Sequence, residues 1–446
     1  PHEESTMSRI VSLSTCALFF AFAQPALAAS DEPADAAAAI APLLPQITAW
    51  RRDLHEHPEL GNRETRTAKI VADHLISLGL DVQTGIAHTG VVGILRGSRP
   101  GPKLAIRADM DGLPVTEEVD LPFASKAKGE YQGKTVGVMH ACGHDTHTSM
   151  LLGVATALAG MRAELPGEVM FIFQPAEEGS PIGESGGAPL MVEEGVFKDF
   201  RPDAILGMHV ASVLPAGTVG IRAGGTMASS DTFRIVVHGR QSHGATPWLG
   251  VDPIVTAAQI VTSAQAIVSR QLDINKEPAV VTFGIFDGGM RFNIVPDTAR
   301  LEGTVRAFDE DMRAQALASL QNYAEQVAAA NGATVEAQIP VVPGSNPVTW
   351  NDPALTAKVR ASLEKALGKD HVVEARRWTA SEDFPHFGAS IGVPSVYFFV
   401  GATPAGQDPA TAPANHSPRF FVDEDALRVG STGMLQAALD YLGAAP

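Results

Sequence analysis

The stretch from Val138 to His147 contains three imidazoles, one thiol and one carboxylate. Cys142 and His144 are two residues apart, so in an extended segment their side chains project to the same side. A thiolate beside an imidazole is a typical ligand pair for a first-row transition metal, with zinc the usual ion. A buried cysteine among unrelated histidines is the simpler alternative. Five polar groups after an apolar stretch favour the metal site, with Asp145 near the N-cap of the following helix.

A second source of candidate side chains is the apolar run Lys103–Ala108, which predicts a strand covered on both faces. It leads directly into Asp109, and Asp111 follows two residues later. Sheets of α/β proteins place their chemistry at the carboxyl ends of inner strands. Asp111 precedes a glycine, so ordinary turn formation explains it equally well. Asp109 is therefore the stronger functional candidate.

Two further apolar runs also lead to candidate side chains. The predicted strand Glu168–Phe173 is followed closely by the adjacent carboxylates Glu177 and Glu178. Such neighbours point in different directions, so one can bind a metal while the other faces a water as general base. A solvated acidic turn is the alternative for an isolated pair of this kind. The run Ala204–His209 predicts a third strand, which ends in an imidazole.

One motif points to a different chemistry. Residues Gly183–Gly187 match G-x-S-x-G, the pattern of a serine-hydrolase nucleophile elbow. That elbow needs a strand leading directly into the serine, whereas a Gly- and Pro-containing loop precedes Ser185. His55-Glu56-His57 likewise lacks the one-turn spacing of the H-E-x-x-H zinc motif. Both alternatives are therefore disfavoured.

Length and charge bound the remaining possibilities. A chain of 446 residues is too long for one ordinary core, so two or three structural units are expected. The net charge of −17 argues against nucleic acid or an anionic membrane surface as a partner.

Residues 1–28 have the pattern of a secretory signal peptide with a few upstream residues. Arg9 supplies the positive region, Val11–Phe22 the apolar region and Ala26–Ala28 the cleavage site. We therefore expect an exported protein, periplasmic or secreted, with no membrane span after processing. Cys142 would then be the only cysteine of the mature chain, and metal ligation gives it a role.

The order of predicted elements indicates an insertion. Residues 227–341 read as strand, helix, two strands, helix and strand, which is a ferredoxin-like α+β unit. The segments 38–226 and 342–446 supply strands and helices on either side of it. We therefore predict an α/β domain in two parts, with a mixed sheet and a smaller domain inserted between them.

Several motifs in the same order resemble one family: the dinuclear-metal amidohydrolases related to aminoacylase and carboxypeptidase G. The likeness is strongest to the branch of hippurate hydrolase and indole-acetyl-amino-acid hydrolase, and it runs from about Trp50 to the C-terminal helix. It implies a zinc-peptidase-like catalytic domain whose inserted domain acts as a lid. The motifs are Leu54–Leu60, Arg107–Pro114, His140–His147, Gln174–Gly179, Gly239–Pro247, Asn293–Asp297, Ser381–Phe384 and Asn415-His416.

The resemblance implies two divalent metal ions per chain, zinc first and manganese or cobalt as alternatives. In this branch a cysteine replaces the bridging aspartate of relatives. Arg107 stands where those relatives have a ligand histidine, and His144 would substitute for it. The implied ligands are Cys142, His144, Glu178, His209 and His416.

The resemblance also implies roles for residues that do not bind metal. Glu177 would be the general base, and Asp109 would orient a ligand from behind it. In the lid, His243 would contact the substrate or the developing oxyanion. Asn293 and Arg306 would lie near the substrate carboxylate.

The implied reaction is hydrolysis of the amide bond of small N-acyl or N-aroyl amino acids, and lids of this kind pair relatives into homodimers. Two other functions stay open. The same centre could serve a carboxypeptidase or dipeptidase, and an exported two-lobed protein could be a non-catalytic binding protein. The adjacent Glu177 and Glu178 argue against the binding protein, which needs no base beside a metal.

Overall fold

The computed structural model of the chain describes residues 1–2, 35–342 and 345–443. The predicted signal peptide therefore lies outside the described residues, apart from the first two positions of the chain. Among the residues described, no helix combines the length and apolarity needed to cross a membrane.

Helices and strands alternate along most of the described chain. The helices are α1 (Ala36–Ile40), α2 (Leu44–Glu56), α3 (Thr65–Ser77), α4 (His144–Gly160), α5 (Gly187–Glu193), α6 (Pro253–Ala266), α7 (Glu310–Ala330), α8 (Pro353–Leu367), α9 (Pro385–Ile391) and α10 (Asp425–Gly443). The strands are β1 (Asp81–Ile86), β2 (Gly90–Arg96), β3 (Arg99–Asp109), β4 (Lys128–Tyr131), β5 (Lys134–Gly137), β6 (Pro166–Gln174), β7 (Ala204–Pro215), β8 (Val219–Ile221), β9 (Gly224–Met227), β10 (Asp231–His238), β11 (Ser242–His243), β12 (Ala279–Gly288), β13 (Ile294–Val295), β14 (Thr298–Ala307), β15 (Thr334–Gln338), β16 (Thr349–Asn351), β17 (Val372–Glu374) and β18 (Ser395–Thr403).

The larger sheet has the strand order β1-β2-β6-β3-β7-β18-β8-β17. Its central strands β6, β3, β7 and β18 are parallel, whereas the pairs β1/β2, β2/β6 and β18/β8 are antiparallel. The predicted mixed α/β sheet is thus confirmed. Because β3, β6 and β7 run in one direction, their carboxyl-terminal halves converge at the same edge of the sheet.

Helices cover both faces of this sheet. Along β3, Leu104 and Ile106 pack in a core with residues of α4 and α10, whereas Ala105 packs in a second core with residues of α5 and α9. Successive side chains of a strand point to opposite faces, so a strand buried on both faces is mostly apolar. This explains the near-continuous apolar run that predicted the strand, in which Arg107 is a buried charged exception.

A second sheet is formed by the inserted unit, by which we mean residues 227–341. Its order is β12-β14-β10-β15, every pairing is antiparallel, and α6 and α7 pack against it around a separate apolar core. This is the predicted ferredoxin-like arrangement. The domain boundaries on either side of it remain a prediction.

Two predicted element boundaries are wrong near the candidate site. Strand β7 continues to Pro215 because residues from Val210 onward still pair with β18, so His209 lies inside the strand and not at its end. Helix α4 begins at His144 with Gly143 as its N-cap, whereas the sequence predicted the cap near Asp145. Asp145 is therefore in the first helical turn and does not cap the helix.

Candidate metal centre

The centre is built around the turn that joins Cys142 to helix α4. Gly143 has φ +91°, and a Cβ at this position would lie 2.3 Å from a side-chain carbon of Val210. Only glycine tolerates both the backbone angle and the close approach. The turn places Cys142 just before the helix and His144 in its first turn, and both side chains are buried.

All five predicted ligands meet around the Cys142 thiol. The Sγ atom lies 3.3 Å from Nε2 of His209 and 3.2 Å from Nε2 of His416. Nε2 of His416 is 3.0 Å from Oε1 of Glu178, and Nε2 of His144 is 3.8 Å from the same oxygen. The structure therefore brings these residues together, while their role as ligands remains a prediction.

The ligand atoms fall into two groups that share the thiol. One group is Cys142, His144 and His209, the other is Cys142, Glu178 and His416, and the atoms within each lie within 4.8 Å of one another. Zinc bonds of about 2.0–2.3 Å place the ligand atoms of one tetrahedral ion roughly 3.3–3.8 Å apart. The donor set thus fits two divalent ions, which Cys142, His144, Glu178, His209 and His416 would hold.

Two of the imidazoles are oriented as metal ligands usually are. Nδ1 of His209 donates to the backbone oxygen of Val210 at 2.6 Å, which leaves Nε2 directed at the thiol. Nδ1 of His144 donates to Oδ1 of Asp111 at 3.1 Å, and its buried Nε2 has no hydrogen-bond partner in the described chain. A ligand histidine characteristically donates its other ring N–H in this way.

The negatively charged carboxylates around His144 also favour a bound cation. Burial alone would lower the pKa of His144, but the carboxylates of Asp109 and Asp111 outweigh it and raise that pKa to about 10. Burial lowers the pKa of His209 to about 3, so that ring is neutral. A carboxylate-rich pocket with a neutral imidazole is electrostatically suited to divalent cations.

Glu177 belongs to neither group that contains Cys142, but its carboxylate forms a further group with His144 and Glu178 whose ligand atoms also lie within 4.8 Å of one another. Its Oε2 is 3.9 Å from Nε2 of His144, and its side chain is only 8% exposed. Burial, together with the carboxylates of Glu382, Glu178 and Asp383, raises the pKa of Glu177 well above its usual range. A carboxyl group with that tendency can accept a proton and return it.

Asp109 contacts His147, which is not among the predicted site residues. Its Oδ1 accepts from Nδ1 of His147 at 2.6 Å, and Nε2 of His147 accepts from the backbone N–H of Val210. The other carboxylate oxygen of Asp109, Oδ2, is 3.7 Å from Nε2 of His144. The His147 ring thus links Asp109 of β3 to Val210 of β7, and the orienting role predicted for Asp109 remains untested.

The sequence favours Asp109 over Asp111 as a functional residue, whereas in the structure Asp111 hydrogen-bonds directly to two predicted ligands. Its two oxygens accept from Nδ1 of His144 and from the backbone N–H of Glu178. One carboxylate thereby links two predicted ligands. The following glycine made Asp111 look like a turn residue, and only its two-residue spacing from Asp109 hinted at a shared site.

The buried guanidinium of Arg107 hydrogen-bonds to several polar side chains next to the candidate metal centre. Arg107 donates to Asp109 at 2.7 Å, to Glu382 at 2.9 Å and to Gln174 at 2.7 Å. The hydroxyl of Tyr397 donates to the second oxygen of Glu382. Sequence reasoning missed this network because Glu382 and Tyr397 lie 275 and 290 residues from Arg107 in the chain.

A second buried cluster lies behind the first turn of α4. The carboxylate of Asp145 pairs with Nε of Arg51 at 3.1 Å and with Nδ1 of His55 at 2.8 Å. Nε2 of His55 also contacts Oε1 of Glu117. Because Asp145 directly follows His144, these contacts from α2 fix the helical turn that carries a predicted ligand.

We expect Asp145→Asn to lower the free energy of unfolding by about 3–5 kcal/mol at neutral pH, since it removes the buried carboxylate that Arg51 and His55 share. Burial alone would raise the pKa of Asp145, but Arg51 and His55 outweigh it and lower that pKa. The stabilisation is therefore present above the unfolded pKa of about 3.9 and is lost as the pH falls below it.

Urea unfolding at several pH values tests this expectation. The matched control is Asp53→Asn, because Asp53 pairs with Arg66 at the surface, where both side chains are about 40% exposed. Its loss should stay within about 1 kcal/mol. Equal, small losses for both variants, or a loss at Asp145 that does not shrink in acid, would contradict the assignment.

The three side chains assigned to the substrate lie in the inserted unit. His243 is exposed, and the backbone N–H of Gly244 donates to the oxygen of Asn293, so these two candidates are neighbours. Arg306 is partly buried in β14. None of the three hydrogen-bonds to the metal cluster within the described chain, so their predicted roles require the inserted unit to approach it.

Known proteins share this architecture. The sequence profile of peptidase family M20/M25/M40 matches residues 105–440. The chain is 40% identical over 401 residues to thermostable carboxypeptidase 1 of Saccharolobus solfataricus, covering 89% of this chain and 96% of the relative. It is 38% identical over 397 residues to IAA-amino acid hydrolase ILR1-like 4 of Arabidopsis thaliana, covering 88% and 84%. The crystal structure of the Bacillus subtilis YXEP protein, a dinuclear metal-binding peptidase of the M20 family, matches with a TM-score of 0.74 at 35% identity, covering 90% of this chain and 99% of that one.

Proposed function

Because this chain belongs to peptidase family M20/M25/M40, we propose that it hydrolyses the amide bond of N-acyl or N-aroyl amino acids in a metal-dependent reaction. The products would be a carboxylic acid and a free amino acid. The observation that carries the proposal is the pair of adjacent carboxylates. Glu178 lies 3.0 Å from His416 in a group that contains Cys142, whereas Glu177 lies beside His144 and Glu178 and belongs to neither group that contains Cys142.

The five clustered residues described above would hold two divalent ions, which when bound polarise a carbonyl and lower the pKa of a water. We propose zinc, because a thiolate ligand favours it, although manganese and cobalt suit the imidazoles and carboxylate. Glu177 would take a proton from the attacking water and pass it to the leaving nitrogen.

The inserted unit would complete the site. His243 would donate to the oxyanion that develops on the amide carbonyl, and Asn293 and Arg306 would bind the substrate carboxylate. Since His243 is exposed, we propose that the unit closes over the centre during the cycle. This makes domain motion part of turnover.

A homodimer through the inserted unit is a further proposal. Large apolar side chains of this unit are strongly exposed, among them Trp248 at 75% and Phe292 at 96%. Strand β12 is an edge strand whose Ile285 and Phe286 are also exposed. An exposed apolar edge is typical of a surface that pairs with another chain.

The proposed location is the periplasm or the cell exterior, which rests on the sequence pattern of residues 1–28. The acidic net charge supports a small-molecule substrate over nucleic acid.

The carboxypeptidase relative favours one alternative, cleavage of short peptides by the same centre. Metal-loaded protein, chelated protein and chelated protein with metal restored should be assayed on N-benzoylglycine and on the unblocked dipeptide Phe-Gly. We expect metal-dependent turnover of the acylated substrate and slower turnover of the dipeptide. Faster cleavage of the dipeptide would establish the peptidase alternative, and no metal-restorable activity on either substrate would refute both.

A further inference from the structure

The residue before the proposed base has an unusual backbone conformation. Ala176 directly precedes Glu177, and its φ of +50° lies in the left-handed region, which residues other than glycine rarely adopt. Because the backbone at Ala176 directs the chain after β6, this conformation determines where the Glu177 carboxylate lies. Strained backbone of this kind persists only where surrounding contacts maintain it, and it concentrates at functional sites.

Glu64 supplies a contact that maintains this conformation. The backbone N–H of Ala176 donates to Oε1 of Glu64 at 2.8 Å, and the hydroxyl of Thr89 donates to Oε2 of Glu64 at 2.5 Å. The side chain of Glu64 is fully buried. One carboxylate oxygen therefore binds the strained backbone, while the other holds the carboxylate in place.

The side chain of Glu64 does not serve the helix that it precedes. Glu64 occupies the N-cap position of α3, but its side chain makes no capping hydrogen bond within the described residues. The N–H groups at the start of α3 donate to Glu59 instead, that of Arg66 at 3.0 Å and that of Thr67 at 2.8 Å. Since a polar N-cap side chain usually binds its own helix, the orientation of Glu64 toward Ala176 indicates a role outside α3.

The loop before α3 also packs against the turn that carries the two adjacent glutamates. A Cβ at Gly61 would lie only 3.1 Å from the Cα of Ala176. Farther along the turn, the backbone N–H of Glu178 donates to the carboxylate of Asp111 at 3.0 Å. Separate carboxylates therefore hold the turn on either side of Glu177.

We propose that Glu64 is a positioning residue, which acts through Ala176 to place the Glu177 carboxylate for proton transfer. The inference rests on the proposed amide hydrolysis with Glu177 as the base. Without the hydrogen bond from Ala176, the backbone can leave the left-handed region and displace the carboxylate. A misplacement of about 1 Å can cost roughly 10²-fold in rate. Asp111 would still hold Glu178, so the metal ions would stay bound.

Glu64→Ala tests the proposal because it removes both hydrogen bonds of the carboxylate. With saturating metal and N-benzoylglycine as substrate, we expect kcat to fall about 10- to 100-fold, with KM within about threefold of wild type and metal content unchanged.

Glu64→Gln should restore kcat to within about threefold of wild type, because its amide oxygen can accept from Ala176 while its amide nitrogen donates to the Thr89 hydroxyl. Burial and the charge of Asp111 raise the pKa of Glu64 to about 8, so the neutral form that glutamine resembles is already favoured at neutral pH.

Glu59→Ala is the matched control, since it removes a carboxylate of the same loop whose hydrogen bonds go to the start of α3. It should lower the free energy of unfolding but leave kcat within about threefold of wild type. Three results would overturn the proposal: an unchanged kcat or lost metal in Glu64→Ala, a Glu64→Gln variant as slow as Glu64→Ala, or an equal loss of kcat in Glu59→Ala.

Two further measurements cover the other outcomes. If Glu64→Ala does not fold, Thr89→Val replaces it, because it removes the hydroxyl that holds Glu64; kcat should then fall at least about threefold, and an unchanged kcat would overturn the proposal. If wild type hydrolyses no N-acyl amino acid, the proposed function fails, and crystal structures of wild type and Glu64→Ala decide the positioning role separately. Ala176 should keep its positive φ in wild type and lose it in the variant, and a positive φ in both would refute that role.

Discussion

Glu177→Gln should retain both metal ions but lose about 10²- to 10⁴-fold in kcat, the usual contribution of a general acid–base group. The amide has nearly the same shape as the carboxylate, so packing against Glu382 and His144 is preserved. The side-chain amide introduced by Glu177→Gln cannot accept the proton that passes from the attacking water to the leaving nitrogen. Metal content by elemental analysis and kcat on N-benzoylglycine are the two measurements.

The matched control is Glu193→Gln, which makes the same change on an exposed carboxylate of α5 that has no ion pair within the described residues. Its kcat should equal that of wild type. If Glu177→Gln keeps kcat within about tenfold of wild type, Glu177 is not the base. If it instead loses metal, Glu177 belongs to the ligand set.

Cys142→Ala is expected to lose both ions, because its thiol is the one atom common to the two ligand groups. Mutation of a residue that only hydrogen-bonds to a metal ligand typically lowers metal affinity about 10- to 100-fold. We therefore expect Cys142→Ala, which removes a predicted ligand, to lower metal affinity more than about 100-fold. Elemental analysis after dialysis and a metal titration followed by calorimetry measure the effect.

Cys142→Asp separates ligation from packing. A carboxylate is also a zinc ligand, so this variant should recover metal binding that the alanine variant lacks. Two ions retained by Cys142→Ala would remove the thiol from the centre. Equal metal loss in both variants would show that the side chain serves packing alone.

Elements with a clear local sequence pattern can be predicted from the sequence. Strand β10 follows its alternating pattern, and helix α8 starts where Asp352 caps it and a proline occupies the first turn. The short strands β8 and β17 were missed because three residues carry no periodicity and their pairing joins distant parts of the chain. The end of β7 was misplaced because its last residues pair as a strand without an apolar run.

The candidate site, too, can be predicted only in part from the sequence. Ligand types and motif order were enough to name five residues that the fold gathers around Cys142. The hydrogen bonds that orient them were not visible, since Asp111 resembled a turn and the contacts of Arg107 depend on residues from β6, β18 and the segment before α9. Tertiary contacts of this kind leave no local pattern in a single sequence.

Metal counting combined with metal X-ray absorption tests most directly whether Cys142 and the four residues clustered with it hold two ions. Protein loaded with zinc and freed of excess metal should hold two ions per chain. Its zinc edge should show one sulfur neighbour at about 2.3 Å among nitrogen and oxygen neighbours at about 2.0–2.2 Å. One ion or none per chain, or a shell without sulfur, would contradict the account.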